Sequence, residues 1–154
     1  MGEAKLDLNK ELLVCLQCGE CSGSCPLFIT APEKYNPRMI VERYLLLGVK
    51  PYDVSWLCLT CYECHERCPM GVSITHFMEE MRNESSRSGY IPSGARELAA
   101  NLLRTGMEVE VTKMMLRKRL ALGLNPIPAG INEEVAKLLE ITGFKDILEG
   151  ARKK

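Results

Sequence analysis

The chain has little of what catalytic and nucleic-acid-binding proteins commonly use. Its 154 residues include two histidines and one tryptophan, and aromatic side chains make up 6%. Lysine plus arginine balance aspartate plus glutamate at 20 each, so no global field draws it to nucleic acid or to an anionic membrane surface. Apolar stretches such as Leu12 to Leu16 and Tyr44 to Leu47 fall far short of the ~20 residues that cross a bilayer, so no direct membrane insertion is expected. The start at Met1-Gly2 lacks the apolar segment of a secretory leader. The alternation that marks a strand is nearly absent, no G-x-G-x-x-G fingerprint occurs, and no two cysteines are adjacent.

What the chain does have is eight cysteines in two runs. The first reads Cys15-Leu16-Gln17-Cys18-Gly19-Glu20-Cys21-Ser22-Gly23-Ser24-Cys25-Pro26 and the second Cys58-Leu59-Thr60-Cys61-Tyr62-Glu63-Cys64-His65-Glu66-Arg67-Cys68-Pro69. Both are C-x2-C-x2-C-x3-C-P, and each cysteine of the second lies 43 residues after its counterpart in the first. A cubane iron–sulfur cluster needs four thiolates at the corners of a tetrahedron. Three cysteines at this spacing wrap one face of the cube in a tight loop, with backbone N–H groups turned to the sulfides. The fourth precedes a proline, which lacks an N–H and holds its predecessor extended, so it points away. In two-cluster proteins that fourth thiolate ligates the other cluster. The expectation is two [4Fe–4S] clusters as cofactors, one on Cys15, Cys18, Cys21 and Cys68, the other on Cys58, Cys61, Cys64 and Cys25.

Two other uses of eight cysteines fit less well. A disulfide framework serves short secreted chains that lack a core, and a 46% apolar composition supplies one here. Two four-thiolate zinc sites ordinarily use separated C-x2-C knuckles, not three consecutive cysteines and a fourth before proline. With each four-thiolate cubane adding about −2, the loaded chain is mildly acidic, and its thiols require a reducing, cytoplasmic setting.

Periodicity and caps predict an all-α fold. Leu8 to Gln17 is expected to form a short helix leading into the first run, with Leu12, Leu13 and Leu16 on one face. Asn36-Pro37 reads as a cap followed by proline at the first helical position, for a helix carrying Met39, Ile40, Tyr44 and Leu47 to a stop at Gly48. Asp53 and Ser55 are candidate caps ahead of Trp56 and Leu57. Ser73 is expected to cap a helix with Ile74, Phe77, Met78 and Met81 on one face, closed by Gly89. The next opens at Pro92-Ser93-Gly94, buries Leu98, Leu102 and Leu103, and stops at Gly106. A segment from Val111 to Leu122 carries Met114, Met115, Leu116 and Leu120, ending at Gly123 and a Pro126-Ile127-Pro128 loop. Asn132 caps a last helix with Val135, Leu138, Leu139 and Ile141, stopped by Gly143.

A whole helix between the runs, with no strands beside them, sets the chain apart from small bacterial two-cluster ferredoxins. The pattern resembles the α-helical ferredoxin domain found in fumarate reductase iron–sulfur subunits. The cysteines of a plant-type [2Fe–2S] domain, the nucleotide domains of glutamate synthase small subunits and the Cys-Cys-Gly motifs of glycolate oxidase-type subunits have no counterpart here. Asn36-Pro37-Arg38, Trp56-Leu57-Cys58 and Cys68-Pro69 with Gly71-Val72 are similar to the iron–sulfur C subunits of soluble heterodisulfide reductases. So are Ala99-Ala100-Asn101-Leu102-Leu103-Arg104-Thr105-Gly106 and the Leu116 to Leu124 segment, and the resemblance spans roughly residues 10–140.

That resemblance implies a two-cluster α-helical ferredoxin domain over residues 1–90 and a helical C-terminal extension for subunit docking over 91–154. It implies an oxidoreductase subunit that relays single electrons between the flavin-containing A and the catalytic, Cys-Cys-Gly-containing B subunits of such a reductase. A hydrogenase or formate dehydrogenase would be reached through the complex. In methanogens such complexes reduce the mixed disulfide of coenzyme M and coenzyme B, coupled to ferredoxin reduction by flavin-based electron bifurcation. No catalytic residue and no substrate site are expected on this chain. A related complex with another substrate and a freestanding ferredoxin are the alternatives. An iron–sulfur regulator would need a DNA-binding motif, and no nucleic-acid partner is expected.

Other residues carry two readings each. Glu20 and Glu63, equivalent in the two runs, and nearby Lys34, Arg38 and Arg67 either tune cluster potentials or are solvated charges. His65 could donate to a sulfide or act as an unusual ligand, and His76 fits a surface or core position. Met78, Met81, Met114 and Met115 fit ordinary core or an adaptable docking face. Lys113 to Arg119 is a basic helix face for contact with another subunit or for solvent.

Overall fold

The computed structural model describes residues 8–127 and 130–150, and every regular element in them is helical. In chain order these are α1 (Leu8–Leu13), α2 (Glu20–Gly23), α3 (Pro26–Thr30), α4 (Pro37–Leu47), α5 (Tyr52–Ser55) and α6 (Glu63–Glu66). They continue with α7 (Ile74–Arg87), α8 (Ser93–Thr105), α9 (Lys113–Ala121), α10 (Glu133–Ile141) and α11 (Phe144–Gly150). The chain divides into two compact units, Met1–Ser85 and Ser86–Lys154.

In the first unit α4 begins as its cap dictates. Asn36 Oδ1 accepts the Met39 N–H at 3.2 Å, Pro37 occupies the first turn, and Gly48 closes the helix at φ 65°. The same Asn36 Oδ1 accepts the Ser22 hydroxyl at 2.8 Å, and Ser22 Oγ accepts the Arg38 N–H at 3.2 Å. One cap thus starts a helix and ties it to the first cysteine run. Behind that tie lies the core, formed by Leu12, Tyr35, Ile40, Val41, Val72, Ile74, Phe77, Met78 and Met81, with Cys21 and Cys25 packed into it. Tyr44 and Phe77 meet with ring centroids 4.8 Å apart and planes tilted by 57°.

The 43-residue repeat continues in the backbone. α2 and α6 occupy equivalent positions and pack on each other. The residue before each is left-handed, Gly19 at φ 91° and Tyr62 at φ 63°. Two residues earlier Gln17 and Thr60 are left-handed as well, at φ 56° and 50°. Equivalent hydrogen bonds run from Ser22 N–H to Gly19 O and from His65 N–H to Tyr62 O, both 2.9 Å. The copies part company after their prolines. Pro26 opens α3, whereas Pro69 leads into a turn at Gly71, whose N–H bonds Cys68 O at 3.1 Å.

Several sequence expectations change. α1 stops at Leu13, where the chain unwinds toward left-handed Gln17, so Leu12 alone is buried while Leu13 and Leu16 face solvent. Met39 and Leu47 of α4 are exposed too. Asp53 and Ser55 do not cap a helix into the second run. Pro51 precedes the single turn α5, and buried Ser55 turns its hydroxyl to Tyr52 O at 2.9 Å. α7 follows its expected face, with Ile74, Phe77, Met78 and Met81 all buried.

The second unit keeps the expected Asn132 cap and adds one at Thr112. Thr112 accepts the Met115 N–H at 3.3 Å to start α9, and Asn132 accepts the Glu134 N–H at 2.8 Å to start α10. Its expected core is thin among the described residues, with Leu102, Leu103 and Leu139 only half-buried. Leu98, Met114, Met115, Leu120, Leu138 and Ile141 are exposed, because short amphipathic helices turn apolar faces that this unit does not cover. α10 is not the last helix. Gly143, at φ 68°, redirects the chain into α11, which packs on α8 and α10 and buries Leu148. Pro128 of the anticipated proline loop lies outside the described residues.

Replacing Phe77 by alanine is expected to destabilise the loaded chain by about 3–5 kcal/mol, and Leu138→Ala by no more than about 0.5 kcal/mol. Anaerobic denaturant titrations check the contrast. Equal losses would contradict this burial pattern.

Candidate metal centre

The eight thiols gather in two clefts of the first unit. One is lined by Cys15, Cys18, Cys21 and Cys68, together with Gln17, Glu20 and Arg38. The other is lined by Cys25, Cys58, Cys61 and Cys64, together with Tyr35 and Thr75. Each cleft therefore has three thiols from one run and the fourth from the other. Local geometry explains the exchange: Cys25 is extended ahead of Pro26, with φ −75° and ψ 116°, and its thiol departs from the loop that precedes it. Cys21 and Cys25 are buried, whereas Cys18 and Cys61, again equivalent, are exposed.

The donor set fits an iron–sulfur cubane. All eight cysteines are free thiols, which leaves the disulfide framework without a bond. Among the described residues no group of three or more His, Cys, Asp or Glu side chains is placed to hold a single metal ion. The thiols instead surround a space, as ligands of a polynuclear centre do. Donors already approach the sulfurs. The Thr60 N–H points to Cys58 Sγ at 3.5 Å, the Val72 N–H to Cys68 Sγ at 3.3 Å, and Gln17 Nε2 to Cys15 Sγ at 3.5 Å.

Burial dominates the electrostatics. It pushes the Cys21 thiol up to about 11, against an opposing hydrogen bond from the Ser22 side chain, with Cys64 and Cys15 nearby adding to the rise. Cys64 is raised for the same first reason, opposed by a hydrogen bond from Thr75. Tyr35 is pushed far above the phenol range by burial and then by its hydrogen bond with Cys58, with Cys58, Cys25 and Cys64 as neighbours.

Three residues of this centre escaped sequence reading. Tyr35 is buried in the cleft lining that also holds Cys58, and Thr75 Oγ1 lies 3.3 Å from Cys64 Sγ. Arg82 braces the approach to the second run: its Nε donates to Ser55 O at 2.8 Å, its Nη2 donates to Cys58 O, and its guanidinium lies 6.0 Å from the centre of the Trp56 ring. Trp56 Nε1 in turn donates to Ser85 Oγ at 3.0 Å. The available signal was that Thr75 and Arg82 lie two helical turns apart on one face of α7.

The remaining candidates separate. Glu20 and Arg38 line the first cleft, whereas Glu63 and Arg67 pair with each other at the surface at 3.1 Å. Lys34, His65 and His76 are in the lining of neither cleft. His65 Nδ1 is buried without a partner, and half-exposed His76 lies 3.9 Å from Glu79. The basic stretch of α9 is largely solvent-exposed. Among the described residues no helix is long and apolar enough to cross a membrane.

A 4Fe-4S dicluster domain matches residues 11–72, the span that holds both runs. The chain is 33% identical to the C subunit of the H2:CoB-CoM heterodisulfide,ferredoxin reductase of Methanothermobacter thermautotrophicus, over 87% of this chain and 76% of the relative. It is 34% identical to the C subunit of the ferredoxin:CoB-CoM heterodisulfide reductase of Methanosarcina mazei, over 89% of each chain. The C subunit of the ferredoxin/F420H2-dependent CoB-CoM heterodisulfide reductase of Methanosarcina acetivorans shares 35% identity, over 97% of this chain and 93% of its own.

In the metal-free chain, alkylation of Cys21 should be slow at pH 8 and rise about tenfold per pH unit toward pH 11, because the thiolate is the nucleophile and its pKa is about 11. Peptide mass spectrometry reads each cysteine separately. Equal rates at all eight would show that the thiols are not held in these environments.

Proposed function

The chain belongs to the family of heterodisulfide reductase C subunits, and we propose that it passes single electrons through two [4Fe–4S] clusters between the flavin-containing and the catalytic, disulfide-reducing subunits of its complex. Its part in an oxidoreductase complex is iron–sulfur electron transfer. One observation carries the finer reading, the exchange of the fourth thiol between the two clefts. By that exchange Cys15, Cys18, Cys21 and Cys68 hold one cluster, and Cys58, Cys61, Cys64 and Cys25 the other. Bound there, each cluster would supply a one-electron couple.

The chain's own residues do the rest. The crossed thiols make each loop a wall of both sites, so neither cleft moves without the other. Inner thiols of the two sets are neighbours, since Cys64 adds to the rise of the Cys21 thiol and Cys25 to that of Cys64, and this favours a short path between sites. At the outer rims Cys18 and Cys61 are exposed beside Leu16 and Leu59, which are 67% and 61% exposed at equivalent positions. These rims suit two separate redox partners, the flavoprotein at one and the catalytic chain, with its Cys-Cys-Gly motifs, at the other. Residues 91–154 serve docking in this reading, and the uncovered Leu120, Leu138 and Ile141 support it. Disulfide chemistry then belongs to the catalytic chain, with the coenzyme M–coenzyme B heterodisulfide as its substrate.

Anaerobic isolation of the native complex should give about eight iron per chain, together with flavoprotein and Cys-Cys-Gly chains. Iron without partners would leave a freestanding ferredoxin, and zinc in place of iron would overturn the reading. Ligand exchange has its own check by electron paramagnetic resonance. Cys25→Ser should disturb the same cluster signal as Cys61→Ser, and Cys68→Ser the same one as Cys18→Ser. Pairing within runs would refute the crossing.

A further inference from the structure

The two clefts differ in the side chains that accompany the thiols. In the second, two buried hydroxyl residues line the cleft: Tyr35, 3% exposed, in the same lining as Cys58, and Thr75, 1% exposed, whose Oγ1 lies 3.3 Å from Cys64 Sγ. A thiolate ligand has no proton, so each contact then has the hydroxyl as donor. The lining of the first cleft includes no hydroxyl side chain. Side-chain donors reach the first cleft differently: Gln17 Nε2 points to Cys15 Sγ at 3.5 Å, and Ser22, which lowers Cys21, gives its hydroxyl hydrogen to Asn36 Oδ1 at 2.8 Å. Glu20 and Arg38 face the first cleft with opposite charges. Both hydroxyls of the second sit in the core, where water does not compete for the sulfur.

We propose that Tyr35 and Thr75 are positioning residues that donate hydrogen bonds to Cys58 and Cys64 and so raise the reduction potential of the cluster held by Cys25, Cys58, Cys61 and Cys64, and of that cluster alone. The inference rests on the ligand sets assigned above. Reduction adds one electron and no proton, and the added charge falls partly on the ligand sulfurs. A donor aimed at a sulfur therefore stabilises the reduced form more than the oxidised form. Duplication gave the runs matching loops, whereas Tyr35 and Thr75 lie outside the duplicated stretches, so the effect is one-sided.

The test is a dithionite titration of the full chain in its isolated complex, followed by electron paramagnetic resonance of each cluster. The Tyr35→Phe, Thr75→Val double variant should make one midpoint potential more negative by at least a tenfold change in the oxidised-to-reduced ratio, 59 mV for a one-electron couple. The other potential should stay in place. Thr75→Ser, which retains the hydroxyl, should stay near the wild-type value. In D2O, Tyr35→Phe should also remove one exchangeable proton coupled to the shifted cluster. Two intact clusters with unmoved potentials would overturn the proposal, as would equal shifts of both. If Tyr35→Phe loses iron, Thr75→Val against Thr75→Ser decides by the same criterion. A wild-type chain with fewer than two cluster signals would instead overturn the site assignment beneath it.

Discussion

The direction of one side chain in each run governs this fold. Three thiols of a run can face a common space from a tight left-handed loop, but the fourth sits extended before proline and leaves the loop. Each cleft therefore takes three thiols from one run and one from the other. The other run must come within reach to complete it, and α2 packing on α6 provides that approach. The Asn36 cap, the Ser22 bridge and the core around Val41 and Phe77 serve the same end, fixing the helix between the runs so that the runs oppose.

The protein part of this arrangement is costly by itself. Gln17, Thr60 and Tyr62 are non-glycine residues in left-handed conformation, each costing about 1–2 kcal/mol. Cys21 and Cys25 are buried as free thiols, and burial raises Cys21 far enough that its thiolate is scarce at neutral pH. Iron held there would replace those protons, which would link ligation to the ordering of the loops. Arg82 and Trp56 brace the approach to the second run only.

Much of the fold was legible because its causes are local. Asn36-Pro37, Gly48, Gly106 and Asn132 act within a turn of themselves, and each did what its chemistry dictates. Cysteine spacing carried the repeat down to single positions. Legibility failed where the cause is distant or the context missing. Tyr35 and Thr75 acquire their partners through tertiary contact, and nothing within a few residues of Tyr35 marks it as a sulfur neighbour. Leu16 shares a helical period with Leu12, yet the left-handed turn at Gln17 ends the helix before that period can matter. Apolar periodicity promised a core for residues 93–141, but a face can be amphipathic without its own unit supplying the cover. α11 was missed because Gly143 reads equally as a stop and as a hinge between helices.

The pairing of α2 with α6 has the form of an isologous contact, the kind two identical protomers make across a two-fold axis, written here within one chain. A true symmetric dimer would be bound to surround both of its sites with the same residues. Any change near one would appear at the other, leaving two centres of equal energy and no preferred order between them. Joining the halves into one polypeptide lifts that restriction. Gly19 and Tyr62 already show it, since one left-handed position is held by glycine and its twin by a tyrosine bonded to Glu79. A covalent link between the copies is thus what permits the two clefts to differ, and with it a protein whose two halves are not interchangeable.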